Sequence, residues 1–396
     1  MSYRPHFILL ASMLMIGGLS IQAQNNNHSL SLHGSWDFRV DSLDAGMEEQ
    51  WYTQDFDQQV RLPGSMTENG MGDEVTVQTQ WTGGIVDRSY FTDEKYEKYR
   101  TPGNIKIPFW LKPDTYYAGP AWYQKEVEVP ESWDGRQIFL KLERCHWESR
   151  VFVNGQEAGS RTSLSTPHEY DITSLAHPGK NRISIRIDNR MIIPVGINSH
   201  SVSDHTQSNW NGIVGAISLE ARSKVHITQI QIYPELSTNT ARLKIYLENH
   251  SGSAFEGSLE LEAESFNSKR IHLPGTISRE ISLTDKKHIL EVEYSMGADV
   301  LLWDEFSPAL YRLSASLKTS DGTLLEQQSE QFGMREFKTE GTRFAINGQA
   351  IFLRGTLECC IFPLTGYPPT DEAYWEKLMK QCQAHGLNHL RFHSWC

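Results

Sequence analysis

The chain is poor in cysteine, in net positive charge and in long apolar runs, and each shortage excludes something. Five cysteines occur in 396 residues, and none lies between Cys145 and Cys359. A disulfide framework of the kind that staples small exported domains is therefore excluded across that span. The paired Cys-x-x-Cys spacing of structural zinc sites is also missing. A grouping of Cys359, Cys360, His393 and Cys396 lacks that form, and no clear metal ligand set is legible. Basic residues number 37 against 49 acidic ones, so the basic patch that a nucleic-acid partner requires is not indicated. Local charge can oppose the net sign, which leaves a polyanionic substrate open. Beyond residue 19 no apolar stretch approaches the roughly 20 residues of a bilayer span.

What is present begins with an export pattern. Arg4 precedes an apolar run at residues 7–19, and Ser20-Ile21-Gln22-Ala23-Gln24 offers small residues for cleavage after Ala23 or Gln24. This reads as a cleavable signal over residues 1–24, since the run is too short for a mature transmembrane helix. No cysteine follows it, so a lipoprotein anchor is not expected. The expectation is a periplasmic or secreted protein.

From residue 25 to 222 short strands alternate with turns. Ile138, Leu140 and Leu142 alternate with Phe139 and Lys141, and Ile183, Ile185 and Ile187 alternate with Ser184 and Arg186. Period two predicts strands with one buried and one wet face. Val151-Phe152-Val153 runs into Asn154-Gly155, a pair that tolerates the positive φ of a tight hairpin. Cys145 sits alone in a strand pattern and is expected to be buried. The density of strands predicts a β-sandwich. Residues 77–122 interrupt it with an irregular excursion rich in rings, among them Trp81, Tyr90, Tyr96, Tyr99, Phe109, Trp110 and Tyr116. Rings in such a loop either anchor it or offer flat faces to sugars.

A second all-β segment spans 223–335, with alternation at Leu243, Ile245 and Leu247 and again at Tyr311, Leu313, Ala315 and Leu317. Its length fits an immunoglobulin-like sandwich without the disulfide. From 336 to 396 the period changes. Phe344-Ala345-Ile346-Asn347-Gly348 predicts a small hairpin, and Arg354-Gly355-Thr356 closes an apolar strand. Thr370 is the expected cap of a helix carrying Trp375, Leu378, Met379 and Cys382, stopped at Gly386. A second strand follows, ending at His393. A parallel sheet needs cover on both faces, so this strand–helix–strand is expected to open a larger enzyme whose chemistry lies beyond Cys396.

An ordered set of motifs resembles glycoside hydrolase family 2, the group of β-galactosidases, β-glucuronidases and β-mannosidases. It includes Leu32-His33-Gly34-Ser35-Trp36-Asp37-Phe38, Arg61-Leu62-Pro63-Gly64, Ala121-Trp122-Tyr123-Gln124-Lys125 and Val151-Phe152-Val153-Asn154-Gly155. It continues with Asn209-Trp210-Asn211-Gly212-Ile213, Ser307-Pro308-Ala309-Leu310-Tyr311, Phe332-Gly333-Met334-Arg335 and Leu353-Arg354-Gly355-Thr356. The resemblance implies a sugar-binding jelly roll, an immunoglobulin-like sandwich and the first part of a (β/α)8 barrel. It implies an exported retaining exo-β-glycosidase acting on an oligo- or polysaccharide, needing no cofactor, with both catalytic Glu residues on barrel strands beyond Cys396. The 396-residue chain alone is then expected to be inactive. A noncatalytic carbohydrate-binding protein is the alternative, and neither reading sets an oligomeric state.

The resemblance also implies where substrate is met. Arg391 matches the family's Arg at the end of the second barrel strand, a place from which a guanidinium can fork two hydrogen bonds to a sugar. His393 is two residues beyond it, where the family places a His three beyond, at Ser394. Glu358 follows the first strand, where the family often has an Arg-His pair. It is a candidate acceptor for sugar hydroxyls, with a salt bridge as the other reading. Asn209 and Trp210 sit in a loop that reaches toward the barrel. The Asp often found near that Trp is replaced by Ser208 and Asn209, so an acidic contact is expected to be lost.

Overall fold

The computed structural model describes residues 28–196, 199, 203–204 and 209–393. The signal read at residues 1–24 lies outside them, as do Ser208, Ser394 and Cys396. Among the described residues no helix is long and apolar enough to cross a membrane.

The first sandwich pairs a six-stranded and a four-stranded antiparallel sheet. The larger has the order Gln156–Thr162, Glu148–Val153, Gly179–Asp188, Pro120–Val129, Gly34–Val40, Gln58–Leu62, and the smaller Ser29–Ser31, Ile217–Arg222, Gln137–Leu142, His168–Asp171. Their inner faces share one core that includes Trp36, Tyr123, Leu140, Val151, Ile185 and Leu219. Burial of each such side chain stabilises by about 1.5–3 kcal/mol. Cys145 lies in this core. Asn154 and Gly155 take φ of 52° and 79° and turn the chain between paired strands, as the hairpin signal predicts.

One strand departs from its pattern. Ser184 and Arg186, expected on a wet face, are buried. The segment at 41–56 folds over that face and adds a second apolar layer, in which Trp51, Trp122 and Phe152 pack with Met47, Tyr52 and Phe56. Arg186 is tolerated there because Asp44, Glu148 and Asp188 all pair with it. A buried charge survives only when paired in this way.

The second sandwich packs Val225–Glu235, Thr240–Asn249 and Lys287–Ser295 against a sheet ordered Thr276–Leu283, Phe255–Phe266, Leu310–Thr319, Leu324–Phe332. Its own core holds Leu243, Ile245, Leu247, Tyr311, Leu313, Ala315 and Leu317, the positions of the alternation, together with Leu261 and Tyr294.

The remaining segment opens with a three-stranded antiparallel sheet, Phe337–Glu340, Arg343–Ile346 and Gln349–Ile351. Next come two parallel strands, Gly355–Glu358 and His389–Phe392, joined through a helix at Glu372–Ala384. Two expectations shift here. The parallel strand starts at Gly355, where the sequence reading had a strand close. The preceding Arg354 accepts from the Asn388 backbone N–H at 2.9 Å, but its own N–H donates to the Asn388 side chain and its Nε to the Gly386 carbonyl. The helix cap is Asp371, whose carboxylate accepts from the Tyr374 N–H at 2.9 Å, in place of Thr370. No residue of this helix is buried. Phe352, Leu357, Met379 and Phe392 are exposed, as expected of a parallel unit with open faces.

Candidate functional site

The site forms where three parts of the chain meet: Asp204 with Asn209 and Trp210, the aromatic excursion, and the loop that follows the first parallel strand. Asn209 and Trp210 are anchored first. Trp210 is 4% exposed and packs against His146 and Tyr367, with ring centroids at 4.7 and 5.8 Å. The His146 Nδ1 meets the Trp210 carbonyl at 2.7 Å. Asn209 is 3% exposed. Its amide donates to the Thr82 hydroxyl at 2.7 Å and to the Asn189 carbonyl at 3.2 Å, and its Oδ1 accepts from the Asn189 amide at 3.1 Å. Both residues position the loop.

A buried carboxylate, Asp204, stands beside Asn209. One of its oxygens accepts from the Thr82 N–H (2.7 Å), the Tyr116 hydroxyl (2.9 Å) and the Gly83 N–H (3.2 Å), and the other from the Asn209 N–H at 3.3 Å. Burial pushes its carboxyl above the usual range, and these hydrogen bonds work against that rise. Sequence reading missed Asp204 because an Asp in a polar loop carries no pattern of its own.

Asp204 thereby ties down the excursion. Trp81 stacks obliquely on Tyr116 at 4.6 Å and meets Phe109 edge-on at 5.2 Å, while Trp110 meets Tyr99 edge-on at 4.8 Å. Tyr116 is buried, whereas Trp110 is 48% exposed. A cavity of about 380 Å³ opens between Tyr90, Phe109, Trp110, Asp204 and Ile361, with Ile85, Val86, Asp87, Pro108 and Leu111 completing its wall. Among the described residues the wall carries two carboxylates, Asp87 and Asp204, and no basic side chain. Ile361 lies three residues beyond Glu358, so the cavity borders the end of the first parallel strand to within about 10 Å of chain.

That strand end is docked onto the first sandwich. The Tyr367 hydroxyl donates to Glu68 at 2.7 Å, the Ser65 hydroxyl donates to the Thr365 carbonyl at 2.5 Å, and Trp210, Val214 and Tyr367 form a small buried cluster. Burial, with Glu68 as acceptor, raises the Tyr367 phenol and keeps it a donor.

On the parallel pair, the Phe392 ring rests edge-on against Trp375 of the helix at 5.6 Å. Strand alternation then puts Arg391 on the face away from the helix, beside Leu357 in the register. The Arg391 side chain is exposed, and no hydrogen bond or ion pair reaches it among the described residues. His393 lies on Arg391's side by the same alternation, and its N–H donates to the Glu358 carbonyl at 2.9 Å. Glu358 pairs with Phe392 in the register; its carboxylate turns back to accept from the Cys360 N–H at 2.8 Å. No ion pair reaches it among the described residues. Glu358 is the one acidic residue on either parallel strand. The structure thus brings the three to one strand end, Arg391 and His393 on the face away from the helix and Glu358, in register with Phe392, on the helix side. It places Asn209 and Trp210 in the loop that holds that end in place.

Two antiparallel sandwiches in tandem, running into a parallel strand–helix–strand beside a ring-lined cavity, make a modular, mostly β architecture. Residues 30–222 match the model of the glycosyl hydrolases family 2 sugar binding domain, and residues 225–335 match the glycosyl hydrolases family 2 model. The chain belongs to glycosyl hydrolases family 2, with its sugar-binding jelly roll followed by its immunoglobulin-like domain. It is 28% identical over 249 residues to a putative beta-glucuronidase of Formosa agariphila, covering 61% of this chain and 28% of that protein. It is 24% identical over 343 residues to a beta-glucuronidase of Paenibacillus borealis, covering 82% and 48%, and 22% identical to a beta-galactosidase of Priestia megaterium, covering 89% and 32%. The chain therefore spans about half or less of the length of these relatives. Among solved structures, β-glucuronidase from Ruminococcus gnavus with D-glucaro 1,5-lactone superposes with a TM-score of 0.64 at 19% identity, covering 92% of this chain and 55% of that one. Bacteroides uniformis beta-glucuronidase 2 gives 0.66 at 20% identity, covering 92% and 39%. Both show the shared fold.

Proposed function

We propose that these residues form the substrate-recognising part of an exported retaining exo-β-glycosidase, with the parallel strands as the opening of its (β/α)8 barrel. The observation that carries the reading is the position of Arg391. Its guanidinium stands on the face away from the helix, which in such a barrel is the interior, at the strand end where active sites are built. The docking of Tyr367 on Glu68 and Trp210 brings the jelly roll to that same end. The names of the relatives make a β-glucuronide or a β-galactoside the first substrates to test, and Arg391 suits a carboxylate or a pair of hydroxyls.

Retaining hydrolysis uses two carboxyl groups about 5–5.5 Å apart, one as acid and one as nucleophile. The two parallel strands offer Glu358 alone, and its carboxylate already caps Cys360. The pair is therefore assigned to later barrel strands, outside this chain. The ring-lined cavity lies on the jelly-roll side of the strand end. It takes the leaving-group side of the substrate, and its exposed aromatic ring and two carboxylates favour an uncharged sugar ring there. The experiment is a side-by-side assay of the 396-residue chain and a chain extended to the length of the relatives, on aryl β-glucuronide and β-galactoside. Sequencing the amino terminus of protein recovered from outside the cytoplasm tests export.

A further inference from the structure

The second sandwich carries a cluster that the glycosidase reading does not use. His226 lies on the strand Val225–Glu235 directly opposite Glu248 on Thr240–Asn249. His250 follows two residues later, on the same side of the chain by alternation. One ligand atom from each of the three lies within 4.8 Å of the others. The His250 Nε2 and a Glu248 oxygen stand 2.6 Å apart, and the two imidazoles lie nearly parallel, 5.7 Å apart and 16° from coplanar. We propose that His226, Glu248 and His250 form a divalent-cation site of the zinc type, seated where the two sandwiches join.

The chemistry of the donors fits. Two imidazoles and one carboxylate are a common three-ligand zinc set, with a fourth position left to water. His226 is buried, and its Nδ1 meets the Ser223 carbonyl at 2.9 Å. That bond places the ring hydrogen on Nδ1 and leaves the Nε2 lone pair for a metal, the supporting contact usual behind zinc-bound histidines. His250 and Glu248 are partly exposed, which gives a cation and its water a way in. Lys287 sits 3.5 Å from the second Glu248 oxygen and is the cation the metal would compete with.

The geometry needs little adjustment. Zinc–nitrogen bonds of 2.0–2.1 Å put tetrahedral ligand atoms roughly 3.3 Å apart. The widest pair must close by about an ångström and a half, which side-chain rotation of Glu248 and His250 can supply while the paired strands stay fixed. Coordination through Nε2 displaces the hydrogen that lies between it and Glu248. An imidazolium loses that proton to solvent, whereas a neutral ring shifts its single hydrogen from Nε2 to Nδ1. The consequence is mechanical. Ser223 and Lys224 form the connection between the sandwiches, and the His250 N–H donates to the Lys224 carbonyl at 2.7 Å. A cation on this triad would pin that connection to both strands.

The test is zinc chloride titrated calorimetrically into the purified, EDTA-stripped chain, with thermal unfolding followed in parallel. One zinc per chain and a raised unfolding midpoint are expected. Glu248→Gln and His250→Gln, both at partly exposed positions, should each weaken binding at least tenfold with unchanged circular dichroism. A Cys359→Ser/Cys360→Ser variant should bind as the parent does. No uptake would overturn the proposal. So would uptake that survives both Glu248→Gln and His250→Gln, or that disappears with the two cysteines.

Discussion

The Tyr367 hydroxyl donates to the Glu68 carboxylate at 2.7 Å across 299 positions of sequence. This bond fastens the loop after the first parallel strand to the jelly roll. Tyr367→Phe keeps the ring on Trp210 and removes only the donor. A hydrogen bond to a charged acceptor is worth about 1.5–3 kcal/mol, so local opening of the loop should rise roughly ten- to a hundredfold. The Gly366 N–H, bonded to the Phe362 carbonyl at 2.7 Å, is the amide to follow by hydrogen exchange. Unchanged exchange would mean the loop is held by its ring contacts alone.

Gly366 gives an independent check on the same docking. Its φ is +84°, and a Cβ there would lie 2.8 Å from the Trp210 Cβ. Gly366→Ala therefore meets both backbone strain and a clash with a buried neighbour. It should expose residues 359–371 to protease while leaving the jelly-roll core resistant. A protection pattern identical to the parent would show that the contact is loose.

Glu326 links stability to pH. It accepts from the Ile227 N–H at 2.8 Å, and burial, opposed by that bond and by Arg222 and Arg136, raises its pKa from an ordinary 4.5 to about 7. Between those values the folded state holds more protons than the unfolded one, so this group's contribution falls as pH rises from about 4.5 through about 7. Glu326→Gln keeps the acceptor and removes the titration. Its melting temperature should gain on the parent progressively over that window and level off above it. Parallel profiles would place the carboxylate in water.

Trp110 separates the two roles of the excursion. It is half exposed at the cavity, whereas Trp81 packs on Tyr116 and Phe109 inside the excursion. In the extended enzyme Trp110→Ala should raise KM severalfold for substrates with an uncharged sugar leaving group, with the melting temperature little changed. Trp81→Ala should lower the melting temperature instead. The same small effect of Trp110→Ala on every substrate would remove the cavity from substrate binding.

How much of this was legible follows from the physics of each signal. Leu140, Ile185, Leu243 and Leu313 are buried as their alternation predicts, because a period of two is written in one stretch of chain. Ser184 and Arg186 are buried against their pattern because residues 41–56 fold over them, which no local pattern reports. Helix existence was readable, but its cap was not: Thr370 and Asp371 are adjacent residues of the capping type, and the carboxylate of Asp371 takes the Tyr374 N–H. Arg391, His393 and Glu358 were placed at one strand end by the order of motifs. Asp204 and the triad of His226, Glu248 and His250 depend on a loop path and on strand register, which join residues far apart in sequence.

The measurement that bears most directly on the whole account is turnover of aryl β-glucuronide and β-galactoside by three proteins: the 396-residue chain, the chain extended to the length of its relatives, and the extended chain with Arg391→Ala. The account predicts no turnover by the first and turnover by the second. It predicts kcat/KM at least tenfold lower in the third, a loss of about 1.4 kcal/mol of transition-state binding, with an unchanged melting temperature. Turnover by the purified 396-residue chain, abolished by a substitution within residues 336–393, would contradict it and move the catalytic centre into the residues described here.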